Sequence, residues 1–172
     1  EACANTLFIF SENFVDMLST EQKAGLGTAC IRPFSFNALT PLQIAIRRPV
    51  PRALGIPTGW SAVSGGFRTL SSYAKEAIDL SIERLLALLR AYPSIQEVVF
   101  SGDPAFRERF GTGVFARTIG DDVVKYVSEH VISTVRRVKR ERIALQANRT
   151  FDERPPTRTF GELRTMEARL LE

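Results

Sequence analysis

The chain has few of the residues that build metal centres, disulfide frameworks and histidine-dependent active sites. Of its 172 residues two are cysteine and one is histidine. A structural zinc site takes four ligands, usually Cys and His, so Cys3, Cys30 and His130 cannot supply one, and neither a metal nor a cofactor is expected. Two cysteines in a chain of this length do not make a disulfide scaffold, which favours a reducing, intracellular compartment. Because the chain starts with Glu1 rather than Met, removal of a targeting segment and location in an organelle are left open.

The sequence also gives little support for nucleophilic catalysis or for insertion into a membrane. A Ser-His-Asp or Cys-His arrangement would have to use His130, which lies among Val127, Val131 and Val135 at helical spacing. We therefore expect an ordinary packing or helix-surface histidine. No apolar run approaches the roughly 18–20 residues that a membrane-spanning helix needs, so no membrane partner is expected.

What is present is enough for one globular domain, and its charge is unevenly distributed. The chain is 44% hydrophobic and 24% charged, with 23 basic and 19 acidic residues and a net charge of +4. Residues 136–172 hold ten Lys/Arg and six Asp/Glu, whereas residues 1–135 hold thirteen of each. The whole positive excess lies in the C-terminal segment, which indicates a neutral body and a basic extension.

The N-terminal half alternates short apolar runs with proline and glycine. Residues 6–10 predict a buried strand, and residues 44–46 a short one. A third strand is predicted over 52–56, and the prolines on either side of it are typical of a sheet edge. Residues 58–67 contain three glycines and are predicted as a loop.

Two long helices are predicted further along. Ser71 or Ser72 can cap the first, which ends at Pro93 and has an apolar face at helical spacing. A strand over 96–102 follows, and this strand–helix–strand order indicates a parallel crossover. Residues 103–110 are charged and are expected to be irregular. The second helix begins after Gly120 and continues to about residue 148 along a valine stripe. Residues 149–159 are predicted as linker, and 160–172 as a short amphipathic helix.

Glycine loops flank several of these strands, and their order has a counterpart in a known family. A strand and loop that hold Asn13 are followed by Gly25-Leu26-Gly27-Thr28. Then come the capped helix, the Val-Val-Phe-Ser-Gly strand, the loop Gly111-Thr112-Gly113-Val114-Phe115 and a helix that opens with two aspartates. This arrangement resembles the macro domain family and its phage-type relatives, best over residues 71–134. The resemblance implies a three-layer α/β domain with a mixed, largely parallel sheet over residues 5–140. A basic helical extension over residues 141–172 follows.

The resemblance also implies a ligand, ADP-ribose or a related nucleotide. The backbone amides of Thr112, Gly113 and Val114 would hold the diphosphate, Phe115 would cover the distal ribose, and Asn13 would orient that ribose or an attacking water. The sequence does not identify the acid expected near the adenine, and Asp16 is taken as a candidate. Whether the chain hydrolyses an ADP-ribosyl bond or only binds is left open. The full set of ligand-binding residues implied is Gly25, Gly27, Thr28, Ser101, Gly111, Thr112, Gly113, Val114 and Phe115.

The basic residues favour a second hypothesis. Helical spacing places residues 136, 139 and 140 on one face, where cations can neutralise phosphates or simply be solvated at a helix end. Under this alternative the chain is a non-catalytic subunit of a large ribonucleoprotein assembly with a degenerate pocket. Its extension would then contact RNA or protein through Arg136, Arg137, Lys139, Arg140, Arg142 and Arg149.

Overall fold

The computed structural model describes residues 4–18, 35–38, 50–61, 64–100, 102–103, 106–110 and 118–151. Strands and helices alternate along this part of the chain, so the predicted α/β class is confirmed. The first elements are β1 (Thr6–Asn13), α1 (Phe14–Leu18), a 3-10 turn (Phe36–Ala38), β2 (Ala53–Ser61) and β3 (Gly65–Gly66). They are followed by α2 (Ser72–Ala91), β4 (Glu97–Phe100), β5 (Gly102–Asp103), β6 (Phe106–Phe110) and α3 (Asp121–Phe151).

Four of the described strands form one mixed sheet in the order β3-β2-β1-β4. Strand β1 pairs in parallel with both β2 and β4, and β3 is antiparallel to β2. Strands β2 and β4 therefore run in the same direction on opposite sides of β1, and α2 lies between them in the chain. The predicted parallel crossover is confirmed. Strands β5 and β6 form a separate antiparallel pair.

Local proline, glycine and charge signals gave wrong assignments in three places. Strand β2 was expected at a sheet edge, but it lies between β1 and β3. Proline is tolerated because β3 pairs only with Gly59 and Ser61, so at Pro57 the side of β2 that faces away from β1 has no partner strand among the described residues. Part of the loop expected over 58–67 is strand, because β2 continues to Ser61 and Gly65–Gly66 pairs with it. Residues 106–110 form β6 rather than irregular structure.

The core joins the sheet to the two long helices. Leu7 and Ile9 of β1 are buried together with Leu54 and Ile56 of β2, because parallel pairing places Ile9 beside Leu54. The apolar faces predicted for the helices are buried in the same cluster, which confirms their register. The members from α2 are Ile78, Leu85, Leu88 and Leu89, and the members from α3 are Val123, Val124, Val127, Val131 and Val138.

A polar contact links α2 to α3 beside this core. The Tyr126 hydroxyl donates a 2.6 Å hydrogen bond to Oδ1 of Asp79. Burial, together with this bond to a carboxylate, raises the pKa of Tyr126 to about 12. The His130 ring packs on the Tyr126 ring with centroids 3.8 Å apart, and its Nδ1 lies 2.8 Å from the Tyr126 carbonyl oxygen. The single histidine is thus a packing residue on the surface of α3.

Contacts divide the chain into two compact units, residues 1–138 and residues 139–172. The division falls within α3, at the last buried valine of its stripe. Within the described part of the chain, no helix is both long enough and apolar enough to cross a membrane. No group of three or more potential metal ligands occurs among the same residues.

The serine cap predicted for the start of α2 can be tested directly. Ser71 is the N-cap, and its Oγ accepts a 3.2 Å hydrogen bond from the backbone N–H of Ala74. We expect Ser71→Ala to lower the free energy of unfolding by about 1 kcal/mol, measured by urea denaturation. Ser72→Ala is the matched control because Ser72 is already helical, and it should not destabilise the protein. Equal losses for the two variants would contradict the assignment of the cap.

Candidate ligand site at the carboxyl edge of the sheet

The parallel strands bring their C-terminal ends to one edge of the sheet, the position where open α/β sheets bind ligands. Asn13 ends β1 and pairs with Gly59 near the end of β2, while the last residue of β4, Phe100, pairs with Ile9. Strand β1 therefore extends four residues beyond the end of β4, from Phe10 to Asn13. The end of β1 is the natural centre of a site at this edge, which we call the carboxyl edge.

Asn13 is buried at the carboxyl edge, and its side chain caps α1. Its Oδ1 accepts a 2.8 Å hydrogen bond from the backbone N–H of Asp16, and its Nδ2 donates to the Asp16 carboxylate at 2.6 Å. A primary amide has two donor hydrogens and two acceptor lone pairs, so each atom keeps capacity for a second bond. The orientation of Asn13 is therefore fixed by the protein before any ligand arrives. Asp16, the candidate adenine acid, contacts Asn13 directly.

A buried carboxylate lies beside Asn13. Glu12 is only 2% exposed, and its Oε2 accepts a 3.1 Å hydrogen bond from Nδ2 of Asn37. The Asn37 Oδ1 accepts a 3.0 Å hydrogen bond from the guanidinium of Arg84 on α2. Room for the carboxylate exists because residue 55 is glycine, and any Cβ there would overlap Glu12. We call Glu12, Asn37 and Arg84 the polar clamp.

The polar clamp compensates charge that the fold has buried. Burial lowers the pKa of Arg84, and the nearby Glu12 carboxylate acts in the opposite direction. Asn37, the central member of the polar clamp, lies in the 3-10 turn, so the clamp fixes this turn against β1 and α2. The segment containing Gly25, Gly27 and Thr28 lies between α1 and this turn in the chain. Both flanks of that segment are thus attached beside the end of β1, while Gly25, Gly27 and Thr28 themselves lie outside the described residues.

A second set of bonds holds the start of α3 near the end of β2. The backbone N–H of Gly66 in β3 donates a 3.0 Å hydrogen bond to Oγ1 of Thr118, and the Gly120 N–H donates to the Phe67 carbonyl at 2.9 Å. The Asp122 carboxylate accepts from the Leu70 N–H at 2.7 Å. A side chain at residue 66 would overlap Ile119, so this close approach depends on glycine. Thr118 comes three residues after the end of the candidate diphosphate loop.

Three aromatic rings from separate elements meet at the same edge. The Phe14 and Trp60 rings stack with centroids 5.3 Å apart, and Tyr73 at the start of α2 lies 5.0 Å from Trp60 and 6.1 Å from Phe14. Trp60 is 41% exposed and Tyr73 is 45% exposed, although Ala53–Gly59 of the same strand as Trp60 are buried throughout. We call Phe14, Trp60 and Tyr73 the aromatic cluster. It presents solvent-exposed ring surface one residue from both Asn13 and its pairing partner Gly59.

The structure therefore locates some of the sequence-predicted residues and not others. Asn13 lies at the carboxyl edge, whereas the remaining implied ligand residues, Ser101 and those of 111–115 included, lie outside the described part of the chain. Of the candidate RNA-contacting residues, Arg136, Arg137, Lys139 and Arg140 are exposed on α3 and Arg142 is half-buried. Arg149 belongs to α3, and its side chain is not among those described. Sequence reasoning missed the polar clamp, whose members lie far apart in the chain.

No protein-family model matches the chain, and neither a curated protein nor a solved structure is similar enough to count as a relative. The resemblance to macro domains therefore rests on the motif residues alone, and its functional content is a proposal.

The overlap between Gly55 and Glu12 provides a test of the polar clamp. Glu12→Ala should lower the free energy of unfolding by about 1–3 kcal/mol, because the half-buried Asn37 Nδ2 loses its carboxylate acceptor and the half-buried Arg84 loses a nearby opposite charge. Gly55→Ala should also destabilise, because its Cβ displaces the Glu12 carboxylate. In the double variant the overlap with the carboxylate is gone and only the contact with the Cβ of residue 12, at 2.9 Å, is left. The loss should therefore fall short of the sum of the two single losses by more than about 0.5 kcal/mol in urea denaturation.

The control for this comparison of single and double variants is Glu83→Ala. It removes the exposed carboxylate of Glu83, the neighbour of Arg84 in the chain. It should change stability by no more than about 0.5 kcal/mol. Strictly additive losses for Glu12→Ala and Gly55→Ala would show that the two positions do not compete for one space.

Proposed function

We propose that the chain binds ADP-ribose or a closely related nucleotide at the carboxyl edge, in a three-layer, macro-like domain. The diphosphate would be held by backbone amides of Thr112, Gly113 and Val114, with Phe115 over the distal ribose and Asn13 beside it. Gly25 and Gly27 would lie on the other side of that ribose. Glycine-rich loops suit this task because backbone N–H groups can approach phosphate oxygens without a side-chain clash.

The observation that supports this proposal most strongly is that described residues next to each candidate loop are bonded at the carboxyl edge. The 111–115 loop is followed closely by Thr118, whose hydroxyl accepts from Gly66 beside the end of β2. The 25–28 segment is flanked by α1, capped by Asn13, and by the 3-10 turn, held by Glu12. Residues that flank two candidate loops more than eighty residues apart in the chain are thereby attached around the end of β1.

Hydrolysis is a narrower proposal than binding. An Asn13 that oriented a water would have to use the capacity left after its two bonds to Asp16. Those bonds preorganise the amide, and catalysis depends strongly on such positioning. Binding needs only the backbone amides and the exposed edge, so binding is the function that we propose first.

Isothermal calorimetry with ADP-ribose tests the proposal. We expect micromolar affinity for the unmodified chain and loss of binding in Gly113→Glu, because the new side chain adds bulk and negative charge where the diphosphate would lie. The charge-matched control is Arg90→Gln, which also changes the net charge by −1. It lies about 25 Å along α2 from Tyr73 and should bind normally. No binding of ADP-ribose at millimolar concentration would overturn the proposal.

A second candidate function is supported by the exposure of the basic residues on α3. Arg136, Arg137, Lys139 and Arg140 are all exposed. Exposed cations at helical spacing can neutralise phosphates and release counterions, which gives salt-dependent affinity for RNA. Under this proposal the chain is held in a ribonucleoprotein assembly through α3 and the extension.

Neutralising these four cations tests the second candidate. The quadruple variant Arg136→Gln, Arg137→Gln, Lys139→Gln, Arg140→Gln should weaken binding to a uridine homopolymer and flatten the dependence of log K on log salt, by about 0.7 for each phosphate that is no longer neutralised. The matched control neutralises four exposed cations elsewhere, Arg68, Lys75, Arg90 and Lys125. If both variants have the same affinity and slope, the basic residues of α3 are not an RNA-binding surface.

A further inference from the structure

The aromatic cluster combines two properties that packing alone does not require. Phe14, Trp60 and Tyr73 come from the start of α1, the end of β2 and the start of α2, so three elements converge to place their rings together. About two fifths of Trp60 nevertheless remains exposed. Exposed aromatic surface is common on proteins, but a stacked group of three rings at the carboxyl edge of a parallel sheet lies where ligands bind.

We propose that the aromatic cluster is a stacking platform for a planar aromatic base attached to the ribose beside Asn13. This inference rests on the proposed function, because it places a group next to the ribose site. It names the ligand class more narrowly, as an ADP-ribose whose distal ribose carries an aromatic base in N-glycosidic linkage. A nicotinamide or a second nucleobase satisfies that description.

The register of the sheet provides the geometric argument. Asn13 pairs with Gly59, and the residues that follow the two, Phe14 and Trp60, are the stacked pair of the cluster. A ribose held at Asn13 would therefore lie close to this stacked pair, since each of the two rings follows a member of the Asn13–Gly59 pair by one residue. The substituent on its anomeric carbon extends only a few ångströms from the sugar, which is the reach needed to stack on rings one residue away.

The chemistry of the surface favours an electron-poor ring. Indole presents an electron-rich face that attracts cationic and electron-deficient aromatic groups. The Asp16 carboxylate, bonded to Asn13, adds negative potential next to Phe14. Exposed Val15 and Leu18 on α1 offer further apolar surface beside the cluster. A pyridinium ring such as that of NAD matches this environment better than a phosphate or a free sugar does.

NAD and ADP-ribose form the decisive pair of probes, because NAD is ADP-ribose with nicotinamide in place of the anomeric hydroxyl of the distal ribose. For the unmodified chain we expect NAD to bind about tenfold more tightly than ADP-ribose, within the range for one base stacked on an aromatic side chain. Trp60 is the only tryptophan, so its fluorescence reports directly on stacking. NAD at saturation should quench this emission more strongly than ADP-ribose does.

Trp60→Ala should remove the preference by weakening NAD binding about tenfold while leaving the affinity for ADP-ribose unchanged. Trp60→Phe keeps an aromatic ring and should retain most of the preference for NAD over ADP-ribose. Tyr126→Ala removes a half-buried ring elsewhere on the fold and serves as the control, with the preference unchanged. If Trp60→Ala does not fold, judged by circular dichroism, Trp60→Phe and the quenching of the unmodified chain still decide.

The possible outcomes separate this inference from the proposed function. Suppose that ADP-ribose binds and Gly113→Glu abolishes that binding, but NAD binds no more tightly than ADP-ribose. The inference of a stacking platform is then wrong and the proposed function stands. Equal weakening of both ligands by Trp60→Ala would place the adenine on the cluster and also overturn the inference. If neither ligand binds at millimolar concentration, both proposals fail.

Discussion

A carboxylate buried at the end of the central strand constrains much of the surrounding structure. Glu12 lies next to Asn13 in a position almost completely shielded from water, and burying a charged group is costly unless hydrogen bonds and an opposite charge compensate for it. The fold supplies Asn37, Arg84 and the space left by Gly55. Meeting this one requirement attaches the 3-10 turn and α2 to β1, and thereby orders one side of the carboxyl edge.

The other side of the edge is ordered by backbone groups instead. Gly66, Phe67 and Leu70 bond to the residues at the start of α3, so the helix begins at a fixed distance from the end of β2. One face of the site thus depends on a buried charge and the other on close backbone approach. Between them lie an asparagine oriented by its own helix cap and a group of exposed aromatic rings. This combination of a rigid frame, a buried amide of fixed orientation and exposed rings suits the nucleotide site that we propose.

Features that depend on neighbours in the chain were predictable, and those that depend on distant residues were not. The Ser71 cap, the apolar faces of α2 and α3 and the parallel crossover follow from local spacing. Strand β2 was misjudged because its prolines are local signals, whereas its interior position depends on β1 and β3. A carboxylate at a strand end suggests solvent, and nothing near Glu12 in the sequence indicates partners 25 and 72 residues away. The aromatic cluster is equally non-local, since Trp60 meets rings from two other elements.

The two outer strands of the sheet bear on how the molecule avoids association. Strand β3 consists of two glycines, and β4 has four residues with Glu97 exposed on it. Exposed strand edges offer unpaired N–H and C=O groups to any other strand, and short or charged edges reduce that hazard. The parallel centre, β1 and β2, is much longer than either border. The described part of the sheet therefore presents little outer backbone on which another strand could extend it.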